Sequence, residues 1–224
     1  MKKYRVILID TLLLCLVSTV LAYLVSTVVT KLKGKVTDDP IVTAIIQANA
    51  VEVERLVKGG SDVTNQTDAL GRTALMRAAF ANYSGPQPIA ETDDKRVGIV
   101  ELLLNHGAQP DRRDNDGWSA LMWAAWSGLP KVADTLLRHG ASTAFADRQG
   151  NTALIIAAQR GNAAIVKALL AKGAAHAVAN KAGKTALEAA TTGMQQYPEK
   201  RPGYEGILSQ LKLAFPAATD LTPR

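Results

Sequence analysis

An all-α fold, about five stacked helix pairs preceded by one apolar N-terminal helix, is what this 224-residue sequence predicts, and three observations point to it. One phrase recurs at a fixed period, a second apolar phrase follows each copy, and twenty residues near the N-terminus carry no charge. Apolar residues make up 47% of the chain and aromatics only 5%, so a core must be built mostly from Ala, Leu, Val and Ile. Such side chains suit thin, closely packed helices.

The N-terminal stretch is read first. Thr11 to Thr30 contains no charged residue, and a helix of that length reaches about 30 Å, the thickness of a bilayer's hydrocarbon. Residues 1–5 are therefore expected to be a short basic tail, 6–30 a transmembrane anchor and 31–37 a linker. A cleaved secretory leader is the competing reading. The apolar run exceeds the usual leader length, and no small-x-small site precedes Lys31, so a retained single-pass anchor is expected. Very short N-terminal tails stay cytoplasmic, which would put the rest of the chain outside the cytoplasm, in the periplasm of a Gram-negative source. Ser18, Ala22 and Ser26 recur every four residues and would form a small-residue ridge fit for helix pairing in the membrane.

The net charge of +6 belongs to that stretch. Lys2, Lys3, Arg5, Lys31, Lys33 and Lys35 flank it, and from Val36 onward 20 basic residues face 19 acidic ones. Such a balance offers no broad basic field, so no nucleic-acid partner is expected. The sole cysteine, Cys15, lies in the apolar run and rules out both an intramolecular disulfide and a Cys-based zinc site.

Beyond the anchor, Gly117, Gly150 and Gly183 are 33 residues apart, and Gly71 precedes them by 46. Each opens the same phrase: Gly71-Arg72-Thr73-Ala74-Leu75-Met76-Arg77-Ala78-Ala79, Gly117-Trp118-Ser119-Ala120-Leu121-Met122-Trp123-Ala124-Ala125, Gly150-Asn151-Thr152-Ala153-Leu154-Ile155-Ile156-Ala157-Ala158 and Gly183-Lys184-Thr185-Ala186-Leu187-Glu188-Ala189-Ala190. The glycine suits a turn. The Thr or Ser two positions on can accept from a free backbone N–H and start a helix. Leucine then faces inward, and the alanine pair keeps the helix thin. A second phrase, Val100 to Ala108, Val132 to Ala141 and Val166 to Ala174, reads as a second helix closed by a left-handed glycine.

This pattern resembles the ankyrin-repeat family, whose period is 33 and whose Thr-Pro-Leu-His-x-Ala-Ala signature the phrases match. Ala74, Ala120, Ala153 and Ala186 replace its proline, and Met76, Met122, Ile155 and Glu188 its histidine. The resemblance implies an ankyrin-repeat solenoid over residues 38–215 with short β-turn tips, and a frayed tail at 216–224. The repeats are expected at 38–67, 68–114, 115–147, 148–180 and 181–215. The second would carry about 13 extra residues as a surface loop at 82–94. Asp39-Pro40 would open the first, capping repeat, and a loop from Gly193 to Gly203 would lead into a last helix from Tyr204 to Phe215.

The resemblance also implies a surface. Ankyrin stacks bind proteins through their turn tips and the open side of their first helices. Position by position, that points to Arg72, Trp118, Asn151 and Lys184 at the turns and to Phe80, Trp126, Gln159 and Arg160 on the helices. All three tryptophans fall between 118 and 126, and Trp123 shares a helical face with Trp126, so an aromatic patch bordered by Arg77 and Arg160 is expected. Gap-filling between repeats is the plainer role for Trp123.

Catalytic chemistry finds no support. Gly183-Lys184-Thr185 ends like a phosphate loop, but the glycine required five residues earlier is Val178. His106 and His139 are 33 apart and would cap helix ends, while His176 falls in a loop, leaving no metal triad. Asp114, Asp116 and Asp147 sit where turns use Asp. No catalytic residue, cofactor, metal or small-molecule substrate is expected. The expected function is a membrane-tethered protein-binding module, an adaptor, assembly factor or inhibitor, with an accessory membrane subunit as the alternative.

Overall fold

The computed structural model describes residues 39–59, 64–80 and 89–214. The predicted anchor, its Ser18, Ala22 and Ser26 ridge, the linker and the C-terminal tail lie outside the described residues. Among the described residues, no helix is long and apolar enough to cross a membrane. The chain divides into two compact units, 1–43 and 44–224. Residues 40–43 of the first begin helix α1 (Pro40–Ile46).

In the second unit the described helices follow as α2 (Ala50–Lys58), α3 (Ala74–Ala79), α4 (Ile89–Asn105), α5 (Ala120–Ser127) and α6 (Pro130–Arg138). Then come α7 (Ala153–Arg160), α8 (Ala163–Ala171), α9 (Ala186–Gln196), a 3₁₀ turn (Pro198–Lys200) and α10 (Arg201–Ala214). The helices form two layers. The first helices α3, α5, α7 and α9 pack in a row, and α2, α4, α6, α8 and α10 pack in a second row. Strand structure among the described residues is limited to two isolated antiparallel bridges, Thr67 with Thr73 and Ala146 with Thr152, at the turn tips.

Local chemistry sets the helix starts as the phrases anticipate. Thr73, Ser119 and Thr152 accept hydrogen bonds from the Met76, Met122 and Ile155 amides at 3.3, 3.4 and 3.3 Å. Thr185 and Glu188 form a reciprocal capping box. The four phrase glycines adopt φ of 73° to 85°, a region that side chains with a Cβ reach only under strain. Leu75, Leu121 and Leu154 are buried, and the alanine pairs at 78–79, 124–125 and 157–158 are fully enclosed between neighbouring first helices. Adjacent tips are joined along the stack: the Asn115 amide donates to the Leu70 carbonyl, Arg148 to Asp116 and Lys181 to Gln149, at 3.0, 3.0 and 2.9 Å.

Two expectations about loops need correction. The 82–94 insertion is not a loop throughout, because α4 begins at Ile89, so residues 89–94 are helical. Tertiary contact is the reason. Asp93 is 2% exposed, and its carboxylate accepts from the Lys131 and Val132 amides at 2.8 and 3.0 Å. Helix α6 begins with Pro130 after Leu129, which offers no side-chain cap, so an Asp from the preceding repeat closes its first turn. Likewise 193–203 is mostly helical. Helix α9 continues to Gln196 and α10 starts at Arg201, because Gly193 is enclosed by Gln159 and Tyr204 instead of lying in solvent.

The Asp93 cap yields a pH prediction. Burial, the largest influence, holds its pKa above the ordinary carboxylate value, against the two amides that favour the charged form. The folded state therefore keeps the proton to higher pH than the unfolded chain. The stability this contributes is complete below about pH 4 and is lost as pH rises through the folded pKa. In urea titrations, the stability gap between the native chain and Asp93→Asn should shift toward the Asn variant as pH rises from about 3 to 7. A gap that moves the other way would refute the desolvated-cap account. At neutral pH, Asp93→Ala should cost about 1–2 kcal/mol, because two amides lose their acceptor.

Candidate functional site

Four Asx residues stand three positions before the phrase glycines: Asp68, Asp114, Asp147 and Asn180. Each turns its tip in the same way. One oxygen accepts two amides, from Leu70 and Arg72, from Asp116 and Trp118, from Gln149 and Asn151, and from Ala182 and Lys184, at 2.8 to 3.0 Å. The remaining oxygen of each Asp reaches a residue of the following phrase. In Asp68 it pairs with Arg72 at 3.1 Å and with Arg77. In Asp114 it accepts the Trp123 indole N–H at 3.1 Å, and in Asp147 the Asn151 amide at 3.0 Å. Burial pushes the Asp68 carboxyl upward, but the Arg72 amide and the two guanidiniums outweigh it and hold its pKa below the ordinary range.

This ladder sorts the residues expected at the surface. Arg72 and Arg77 are held by Asp68, so Arg77 is not a free cation at the border of the patch. Asn151 is a structural bridge, since its side-chain oxygen also accepts from the Asn180 amide group at 2.7 Å. Lys184 stays exposed, with its Nζ 3.4 Å from Thr192 Oγ1. The Gln159 carbonyl accepts from the buried Tyr204 hydroxyl at 2.7 Å.

The aromatic residues do come together. Phe80 meets Trp123 edge-on with ring centres 5.0 Å apart, Trp123 meets Trp118 at 4.7 Å, and Trp118 meets Trp126 at 5.7 Å. Trp118 is thus the ring that joins the two helix tryptophans. Expected in the open, it is half-buried by that contact, whereas Trp126 keeps 38% of its surface exposed. Trp123 is half-buried and fixed by Asp114, which matches the packing role weighed for it.

The strip continues past the residues the sequence indicated. The Arg160 guanidinium lies over the Trp126 ring at 4.3 Å and toward the Tyr197 ring at 6.0 Å, and Lys200 Nζ stands 5.5 Å from the same tyrosine. Tyr197 and Lys200 escaped the sequence reading because they lie beyond the last phrase, outside the 33-residue register. The resulting surface runs from Phe80 after α3, across α5, to the end of α7 and the turn after α9. On the opposite layer, the groove between α4 and α6 is charged, but Lys131 pairs with Asp94, and Arg138 with Asp134 and Glu101. Of the histidines expected to cap, His106 has Nδ1 2.9 Å from the Leu102 carbonyl.

A family model described as Ankyrin repeats (3 copies) matches residues 89–147 and 143–197. The chain is also similar to the 2-5A-dependent ribonuclease of Mus musculus, 36% identical over 80 residues, which is 36% of this chain and 9% of that protein. The chain therefore spans about a tenth of the length of that relative. With the capped turns, the paired helices in two layers and the tips linked along the row, these matches make the chain a member of the ankyrin-repeat family.

Proposed function

We propose that this chain is a protein-binding module that captures its partner on the first-helix layer, with Trp126 and Trp118 at the centre of the contact. The single observation that supports this reading is the aromatic strip itself, since four rings in a chain of contacts span two repeats and end in an arginine of a third lying over the last ring. Trp, Tyr and Arg are the residue types that dominate binding energy at protein interfaces, and a contiguous apolar patch on a soluble face is seldom neutral. A rigid stack presents such residues with little ordering left to do on binding. The match to the ribonuclease covers too small a part of that protein to transfer its activity.

The apolar stretch at 6–30 completes the reading: it would tether the module to a membrane, with the repeats outside the cytoplasm, and so raise the local concentration of a partner at the same surface. An adaptor, an assembly factor and an inhibitor of a membrane-proximal enzyme all fit it. Affinity isolation from detergent extracts, with the native chain compared against Trp118→Ala/Trp126→Ala, tests the binding face. The double variant should keep its helical circular dichroism and lose at least about tenfold in partner affinity. Equal recovery of the same partner by both chains would overturn the proposed face. A topology reporter fused after Lys35 tests the tether, and activity on the cytoplasmic side would reverse the orientation.

A further inference from the structure

We infer that Arg160, clamped against Trp126 beside Tyr197, is a carboxylate receptor, so that the partner segment seated on the strip is acidic, with Asp or Glu side chains among its anchoring residues. This rests on the protein-binding reading above and names the chemistry of its partner.

Three observations support it. First, two cations converge on one ring, since Arg160 and Lys200 both stand within 6.0 Å of the Tyr197 centre, yet among the described residues no carboxylate forms an ion pair with either. Glu199, in the same turn as Lys200, pairs with neither. Like charges held near each other leave a positive pole that an external anion would relieve. Second, the anions at the base of the strip are already engaged: Asp68 by Arg72 and Arg77, Asp114 by amides and the Trp123 indole, Asp147 by amides and Asn151. Neighbouring tips add Arg148 and Lys181, both exposed and without an ion pair among the described residues. Third, a guanidinium stacked on a ring keeps its N–H donors in its own plane, where they form the fork that a carboxylate takes with two parallel hydrogen bonds. Contact with the Trp126 ring at 4.3 Å restricts the guanidinium before the partner arrives, which lowers the ordering cost of using it.

Single-stranded nucleic acid also combines negative charge with a taste for aromatic rings, but it needs open ring faces for its bases. Here Arg160 covers Trp126 at 4.3 Å, while Trp118 packs against the same ring at an interplanar angle of 74°. Trp118 and Trp123 lie against each other at 4.7 Å. The three tryptophan rings are packed on one another and on Arg160, an arrangement better suited to border a peptide's side chains than to stack bases.

The test uses the full-length chain in detergent and a C-terminally amidated, glutamate-rich synthetic peptide of about a dozen residues with leucine spacers. Its Gln-for-Glu counterpart and a single-stranded oligothymidylate are the comparison ligands. Binding is read by tryptophan fluorescence and by calorimetry. The glutamate peptide should bind about tenfold or more tightly than the glutamine peptide, and Arg160→Gln should remove most of that difference. Arg160→Lys keeps the charge without the planar fork and should recover only part of it. Lys167→Gln, an exposed cation on α8 in the other layer, removes the same net charge and should change nothing.

Equal affinity for the two peptides, equal losses in the Arg160→Gln and Lys167→Gln variants, tighter binding of the oligonucleotide, or no binding of either peptide would each overturn the carboxylate receptor. If the glutamine peptide binds as well as the acidic one, and Trp126→Ala weakens both, the protein-binding face stands while its acidic preference falls.

Discussion

Tyr204→Ala is expected to loosen α10 from the stack and to lower stability by about 3–5 kcal/mol, the range for removing a large buried aromatic side chain. Tyr204 is fully buried and is the largest enclosed side chain among the described residues. Its ring covers Gly161 so closely that a Cβ there would lie 2.9 Å from Cζ, and its hydroxyl donates to the Gln159 carbonyl at 2.7 Å. The residue therefore fastens the last helix to the end of α7, two layers at once. Repeats gain stability chiefly from their nearest neighbours, so the loss should be concentrated at the C-terminal end. Hydrogen exchange should accelerate in α9 and α10 before α5, and the urea midpoint should fall. Tyr204→Phe keeps the ring and should cost only about 1 kcal/mol, the worth of one hydrogen bond. An alanine variant as stable as the phenylalanine one would show that the ring does not hold the end of the stack.

Gly193→Ala is the second large effect, and its sign opposes helix propensity. In an exposed helix interior, alanine is favoured over glycine by about 1 kcal/mol. At Gly193, inside α9, a Cβ would stand 2.2 Å from the Gln159 carbonyl oxygen and 2.7 Å from the Tyr204 hydroxyl. Neither neighbour can yield cheaply, because one is backbone in the adjacent helix and the other is the oxygen that bonds to it. Overpacking of this kind costs about 1–3 kcal/mol and here acts on a shared hydrogen bond as well, so a net loss of about 2–3 kcal/mol is expected. Gly98→Ala, in α4, supplies the contrast. Nothing lies within 4 Å of the Cβ it would add, and stability should rise by about 0.5–1 kcal/mol. Chemical denaturation of the pair decides it. If both substitutions stabilise, the close approach of α9 to α7 is not what confines residue 193 to glycine.

Much of the architecture was legible before any coordinates. The turn glycines, the Thr and Ser caps, the alanine pairs and the helix-ending glycines are local devices, each dictated by backbone geometry within four residues, and repetition at 33 multiplies the signal. The Asx ladder was half legible. Asp114 and Asp147 read as turn residues, but Asp68 and Asn180 occupy the same place before Gly71 and Gly183, and the fixed spacing of three would have found them.

What escaped depends on partners remote in sequence. Asp93 caps α6 from 39 residues away, Tyr204 reaches Gln159 across 45, and Arg160 meets Tyr197 across a break in the repeat. No periodicity marks such pairs, because their proximity follows from how each repeat settles on the last.

The sequence by itself thus determined the unit and its order: helix, turn, helix, tip, with the alanine faces inward. Only the tertiary structure decided which cations are spent and which remain available. Arg77 and Arg160 are both arginines on first helices, yet Asp68 neutralises one while the other lies against the Trp126 and Tyr197 rings. Charge on a side chain is written in the sequence, but whether that charge still faces outward depends on what folding brings within a few ångströms of it.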